Sequence, residues 1–349
     1  MPYHIHIPTA SAWDAFVRAH ADAHILQLSA WGTHQSRFGW QVQRLAITDS
    51  GGQIVAGAQV LLRRLPLRLG KRAYLPAAPL FSAYQPGEVV PVSLLWRALR
   101  RCGAAFIKVE PCDWYRPRPD LPERLTRAGL RLSPETIQQP RTIVLDLGGT
   151  EDDILKRMNQ STRYKCRLGQ KKEVTVRLGE AADAVQFGAL MQVTAERDSF
   201  YARPPAYYQS VYEAFASSGE VALLIASHAG QDLAAAMVFR CGETAYYLYG
   251  ASSNAERNRM PTYIVQWEVI RWAKAAGALR YDLWGVPDAD EATLEANFEG
   301  RDDGLWGVYK FKRGFGGAVR RSVGAWDLVN NRALYALYLC YVRRQGGAE

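Results

Sequence analysis

Apolar and polar positions alternate with period two along Trp40–Thr48. The chain then turns through Asp49-Ser-Gly-Gly-Gln53 and alternates again over Ile54–Arg63, which predicts a β-hairpin. The pattern returns later, with a strand over Glu220–His228, a turn at Ala229-Gly-Gln-Asp232 and a partner strand over Leu233–Arg240. Around the first hairpin the sequence predicts a helix at Ala10–His20, a strand at Arg72–Leu75 and a proline-rich link at Pro76–Pro86. A helix at Val92–Arg101, a strand at Ala105–Glu110, a helix at Leu121–Ala128 and a closing strand at Thr142–Leu147 follow. After the second hairpin come a strand at Thr244–Gly250, a helix at Pro261–Ala275 with proline in its first turn, and a strand at Arg280–Trp284. The shared Gly-Gln of the turns, the alanine-rich start of each return strand and the common downstream order point to an internal duplication. The fold class is α/β with mixed sheets, in two domains.

One stretch resists a bland reading. Tyr281-Asp-Leu-Trp-Gly285 is a short aromatic strand, and Leu305–Phe315 alternates from Val308 onward. Read as a strand, it sets Val308, Lys310 and Lys312 on one face and Tyr309, Phe311 and Arg313 on the other. Lysines on a strand guard a solvated edge. Cations wedged between aromatics also suit a nucleotide or phosphate partner, and the pattern leaves both readings open.

The 349 residues carry a formal net charge of +9, which makes an anionic partner plausible without choosing among nucleic acid, lipid and phosphorylated substrate. Seven Lys/Arg between Lys156 and Lys172, among them Arg163, Lys165 and Arg167, have no acid between them. Thr150 and Asp153 start that segment with a capping-box pattern. The five cysteines are scattered without a Cys-x-x-Cys pair, so neither structural zinc nor a disulfide framework is expected. The start of the chain has no signal-peptide pattern. The apolar run Ala333–Val342, bracketed by Arg332 and by Arg343-Arg344, is about half a bilayer span and reads as a core helix, with a membrane-surface helix as the alternative. A soluble cytoplasmic protein is the expectation.

Several stretches taken together resemble the FemABX aminoacyltransferases of bacterial cell-wall synthesis. They are Trp31-Gly-Thr-His-Gln-Ser-Arg-Phe-Gly-Trp40, Met158-Asn-Gln-Ser-Thr-Arg-Tyr-Lys-Cys-Arg-Leu168, Arg203-Pro-Pro-Ala-Tyr207, Tyr247-Leu-Tyr-Gly-Ala-Ser252, Pro261-Thr-Tyr-Ile-Val-Gln-Trp267 and Tyr309-Lys-Phe-Lys-Arg-Gly-Phe315. The resemblance implies two tandem domains of the GCN5-related acetyltransferase (GNAT) fold, residues 1–147 with 318–349 and residues 148–317. It implies transfer of an amino acid from aminoacyl-tRNA to the stem-peptide amine of a peptidoglycan precursor, UDP-linked or lipid-linked, to build the interpeptide bridge. It further implies a monomer, cytoplasmic or in peripheral contact with the inner membrane face. The donor ester is already activated, so no cofactor, metal or protein nucleophile is required; approximation and a cation near the developing oxyanion suffice.

Residue by residue, the family's Phe-Lys pair falls on Phe311 and Lys312, which places that lysine at tRNA phosphate or at the reacting carbonyl. The Arg-x-x-x-Tyr pair that holds the precursor's phosphates falls on Arg203 and Tyr207, and Tyr249 lines the same cleft. Arg163, Lys165, Arg167, Lys310 and Arg313 are the candidate tRNA contacts. The sequence departs from the family twice. Glu110-Pro111 stands where an Asp-Pro is usual, leaving Glu110 either a general base or a structural, buried carboxylate. A lysine ahead of the first domain's Gly-Trp is missing, and Arg37 is its only nearby replacement. His34 is a possible proton shuttle, against the plainer reading of a surface or core histidine.

Two other functions compete. A GNAT enzyme acylating a small amine from acyl-CoA needs a glycine-rich pyrophosphate loop, and Glu256-Arg-Asn-Arg-Met-Pro-Thr262 at the expected place has no glycine. A non-catalytic tRNA- or lipid-binding module predicts binding without turnover.

Overall fold

The computed structural model describes residues 3–66, 70–81 and 92–344. Part of the proline-rich link (82–86), the first two residues and the last five residues of the C-terminal tail lie outside them. The strands in chain order are β1 (His4–His6), β2 (Gln41–Thr48), β3 (Ile54–Arg64), β4 (Lys71–Pro76), β5 (Leu80–Phe81), β6 (Phe106–Glu110), β7 (Arg131–Leu132), β8 (Arg141–Asp146), β9 (Thr175–Leu178), β10 (Val221–His228), β11 (Gln231–Cys241), β12 (Thr244–Ser252), β13 (Arg280–Gly285), β14 (Ala318–Arg321) and β15 (Trp326–Val329). The chain divides into two compact units, residues 1–140 with 321–349 and residues 141–320.

Each unit is built on one mixed sheet. The first runs β1-β2-β3-β4-β6-β15-β7, with β5 attached to β3, and the second runs β9-β10-β11-β12-β13-β8-β14. Position by position the two orders match: an antiparallel hairpin (β2-β3, β10-β11), a third antiparallel strand, a parallel neighbour (β6, β13) and an antiparallel sixth strand (β15, β8). The hairpin turns also agree, since Gly52 and Gly230 hold φ of +79° and +80°, a conformation that costs glycine nothing. Each unit thus repeats one strand order, the duplication that the two hairpins predicted.

Local pattern identified the strands better than their partners. The strand expected at Thr142–Leu147 to close the first domain falls on β8 and pairs with β13 in the second sheet. Similarly, Ala318–Arg321 belongs to the second sheet, although the tail was expected to join the first domain from Ala318. The tail does complete the first sheet through β15, which pairs with β6 from Trp326↔Val109 to Val329↔Phe106. Helix Arg332–Arg344 follows, packing Tyr335 and Tyr338 against Phe106 at ring distances of 5.1 and 4.7 Å. Among the described residues no helix is long and apolar enough to cross a membrane.

The larger correction concerns 305–315. The segment is a helix, Trp306–Lys312, continued by a 3-10 turn at Arg313–Phe315. Trp306, Tyr309 and Lys312 recur every third residue and are buried together, whereas Lys310 is exposed. The two lysines therefore do not share a face, and burial at helical spacing overrides the alternation.

Candidate active site

The parallel strands β12 and β13 pair through Thr244↔Arg280, Ala245↔Tyr281 and Tyr246↔Asp282, and there the pairing ends although both strands continue. Backbone geometry enforces the parting. Trp284 adopts a left-handed φ of +63°, costly for a bulky side chain, and the buried Asp282 carboxylate secures it by accepting from the Trp284 amide at 2.7 Å and from the Thr142 hydroxyl. The turn leaves two carbonyls unpaired by the ladder. The Lys312 ammonium fills the opening, donating to the oxygens of Gly285 (2.8 Å) and Trp284 (3.2 Å). On the β12 side it sits 5.8 Å from the centre of the Tyr247 ring.

Lys312 is only 6% exposed, and this burial pushes its pKa down to about 7, against the opposing attraction of Asp282. A lysine so placed switches charge near neutrality, at a point where neighbouring backbone cannot move away. Tyr247 is fixed as firmly: its phenol lies over Gly250, where an added Cβ would meet the hydroxyl oxygen at 1.7 Å. Behind them, Tyr281 donates to Gln266 Oε1 at 2.8 Å.

The helix that delivers Lys312 is anchored from its middle to its C-terminal end. Tyr309 donates to Glu295 at 2.5 Å, and Arg313 forms a two-pronged ion pair with the same carboxylate. Gly316 (φ +79°) then passes so close to the Arg157 carbonyl that no Cβ fits. Phe311, half-buried, packs on Tyr263 and Phe315 at 5.1 and 5.2 Å. Lys165 reaches the other side of Tyr263, 3.2 Å from its hydroxyl and 4.8 Å from the ring centre. Lys165 and Phe311 thus meet on Tyr263, while Lys312, the next residue along the helix, reaches the parted strands.

Farther along β12 lies a tyrosine cluster. Tyr249 meets Tyr208 and Tyr207 edge-on at 5.3 and 6.5 Å, and burial followed by the Tyr207 contact raises its pKa well above the ordinary phenol value. Arg203 places its guanidinium 5.7 Å from each of the Tyr201 and Tyr207 ring centres. The loop beneath is rigid: the Arg203 amide donates to the Tyr208 hydroxyl, and its carbonyl accepts from Gln192 at 2.7 Å. Among the described residues the Arg203 guanidinium has no hydrogen bond or ion pair, so its donors face outward.

A paired tandem scaffold, a lysine at the parted strands and an arginine–tyrosine cluster beyond it coincide with a family match over nearly the whole chain. The sequence model of the FemAB family matches residues 9–229 and 221–343. The chain belongs to the FemAB family. Similar FemAB relatives include the lipid II:glycine glycyltransferase of Staphylococcus epidermidis, 24% identical over 93% of this chain and 92% of the relative. The Staphylococcus aureus protein of the same name is equally similar, with the same coverage. Among solved structures, FemX superposes with a TM-score of 0.82 at 23% identity, covering 96% of this chain and 99% of FemX. A tandem GNAT protein from the clavulanic acid biosynthesis pathway gives 0.55 at 10% identity, over 94% and 99%.

On this FemAB frame the remaining candidates separate. Glu110 and Arg37 lie in the first unit. Glu110 is buried where β4 and β6 stay paired through Pro76↔Glu110; its oxygens accept from Tyr74 (2.6 Å) and from the amides of Ile137 (2.5 Å) and Gln138 (3.0 Å). Burial raises its pKa, but the filled oxygens describe a clamp that keeps the first unit's strands together where the second unit's part. Arg37 is exposed at the end of helix Ser29–Ser36. His34 is fully buried and driven down to about 3 by burial and by Arg37, an uncharged core histidine at neutral pH.

The basic segment is less free than its sequence suggests. Arg163 donates to the carbonyls of Met158 (2.5 Å), Lys156 and Leu155, closing the preceding helix, and Arg157 and Lys172 also serve backbone oxygens. Arg313 is held by Glu295. Arg167 and Lys310 remain exposed. Sequence reasoning singled out the stretches that contain Asp282, Trp284 and Tyr247 but gave these three residues no role: no local pattern marks a left-handed tryptophan or the carboxylate that stabilises it.

Proposed function

We propose that this protein transfers an amino acid from an aminoacyl-tRNA to the stem-peptide amine of a peptidoglycan precursor, with the lipid-linked form favoured by the names of its relatives. The observation that carries the proposal is Lys312, a buried amine held on two backbone carbonyls where β12 and β13 part. In this reading the acceptor nitrogen attacks the ester carbonyl, the new C–N bond forms, and the C–O bond to the tRNA ribose breaks. The proton lost by the nitrogen ends on the ribose hydroxyl. Lys312 supplies a donor at the carbonyl as negative charge builds on its oxygen. Arg203, with Tyr207 and Tyr249, is assigned the precursor's phosphates, since a planar, outward-facing guanidinium suits bidentate phosphate binding. Lys165 and Arg167 are assigned to the tRNA backbone.

The acyl-CoA alternative has less support. The turn before helix Pro261–Ala275 contains no glycine and closes on itself, with Arg259 paired to Glu256 at 2.6 Å and bonded to the Lys172 carbonyl. The test is incubation with charged tRNA pools and with UDP-linked and lipid-linked acceptors, reading product mass. An aminoacyl increment that requires the charged tRNA is expected. An acetyl increment from acetyl-CoA, or binding without any product, would discard the proposal.

A further inference from the structure

Helix Gln160–Lys171 of the second unit carries Arg163, Lys165, Arg167 and Lys171 and no acid. Thr162, Cys166 and Gly169 are its buried residues. Away from them Gln160, Tyr164, Arg167 and Lys171 are exposed, at the spacing of one helical face. Tyr164 is 62% exposed, and among the described residues its ring has no ring neighbour, cation contact or hydrogen bond. Of the described aromatics, Phe200 and Tyr201 are also exposed, but they stand in the loop that carries Arg203. A lone exposed tyrosine is ordinary on a protein surface. This one stands among cations, on an element that abuts the turn after Lys312. The Asn159 amide donates to the Gly314 carbonyl at 3.0 Å, and a Cβ at Gly314 would collide with the Thr162 hydroxyl. Tyr164 lies just beyond that contact.

We propose that Tyr164 is a stacking platform for an unpaired base of the RNA bound along this helix. The proposal rests on the tRNA donor argued above and takes it from phosphate contact to base contact. An aminoacyl ester sits on the ribose at the unpaired 3′ end of a tRNA. A donor that delivers its ester to Lys312 therefore brings single-stranded nucleotides close to the start of this helix. Arg167 and Lys171 can hold the phosphates of any strand, paired or unpaired. An open aromatic face adds what cations lack, because only a base released from its own duplex can lie on it. A fully paired RNA would engage the cations alone and leave the ring idle.

The test titrates uncharged tRNA with its 3′ tail, and the same tRNA trimmed back to its last base pair, against the full chain and its variants. Tyr164→Ala should weaken binding of the tailed tRNA by about tenfold or more, the usual effect of losing one stacked base. Tyr164→Phe should bind like the parent, since the ring face and not the hydroxyl is used. On the trimmed tRNA the parent, Tyr164→Ala and Tyr164→Phe should bind alike. Tyr164→Ala should keep the parent's slope of log affinity against log salt, whereas Arg167→Gln should lower it by about one. That contrast separates the ring from the charges around it. The proposal is overturned if Tyr164→Ala binds the tailed tRNA as tightly as the parent, or if it loses equally on the trimmed one. A parent that binds neither tRNA would overturn the donor assignment itself and this proposal with it.

Discussion

The Lys312 ammonium donates to the Gly285 carbonyl at 2.8 Å, across the point where two parallel strands stop pairing. A lysine there plugs the opening, and the proposed function also makes it the donor at the reacting carbonyl. Replacing it by alanine should lower transfer by about 10²–10³-fold, the usual cost of one oxyanion donor, while the far-UV circular dichroism stays native. Unchanged turnover in the purified assay would remove Lys312 from the chemistry.

Its burial also predicts a pH dependence of stability. In the folded protein Lys312 loses its proton near pH 7; unfolded, it keeps it to about 10.5. Across that window the unfolded chain binds more protons, so this group makes stability rise with pH, and its full desolvation cost is felt below pH 7. Lys312→Met should therefore gain most over the parent below pH 7, with the gain shrinking toward pH 10.5. Chemical denaturation at several pH values reads this directly, and a pH-independent difference would contradict the assigned burial.

Arg203 is argued to hold phosphate with outward-facing donors. Arg203→Ala should raise the acceptor KM by roughly 10- to 100-fold, the worth of a charge-assisted hydrogen bond or two, and leave the tRNA KM alone. An effect confined to tRNA would reverse the assignment.

For the basic helix the readout is salt. Lys165→Gln and Arg167→Gln should each lower the slope of log affinity for tRNA against log salt by about one. Arg163→Gln should instead lower thermal stability, since its donors close the preceding helix. Parent-like slopes in the first two variants would place the RNA elsewhere.

Tyr247 is held over Gly250 so closely that a methyl group has no room. Gly250→Ala should destabilise the protein by about 1–3 kcal/mol through overpacking, and should disturb the ring beside Lys312. A thermal melt superimposable on the parent's would show that the strand yields more easily than its geometry implies.

How much of this was legible follows from what each pattern encodes. The hairpins at 41–64 and 221–241 were readable because period-two alternation and Gly-Gln turns are local signals. Sheet partnership is not local, so 141–146 was recognised as a strand but placed in the wrong domain. The helix at 306–312 was read as a strand because lysine counted as outward-facing. Taking Lys312 as an inward member with Trp306 and Tyr309 restores the helical period. Arg203, Tyr207 and Tyr249 were named from the resemblance, and the structure brings them together; Arg163 and Arg313 were named as RNA contacts, and the structure commits them to protein partners.

The sixth strand of the first sheet, β15, has a consequence for biogenesis. On the ribosome, residues 141–320 are all translated before β6 can meet its neighbour at Trp326–Val329. The unit that begins the polypeptide is therefore the last to be completed, and its nascent sheet waits with an open edge while the downstream unit emerges whole. Stalled or nonsense-terminated chains ending before residue 326 should retain a foldable second half attached to an unfinished, aggregation-prone first one.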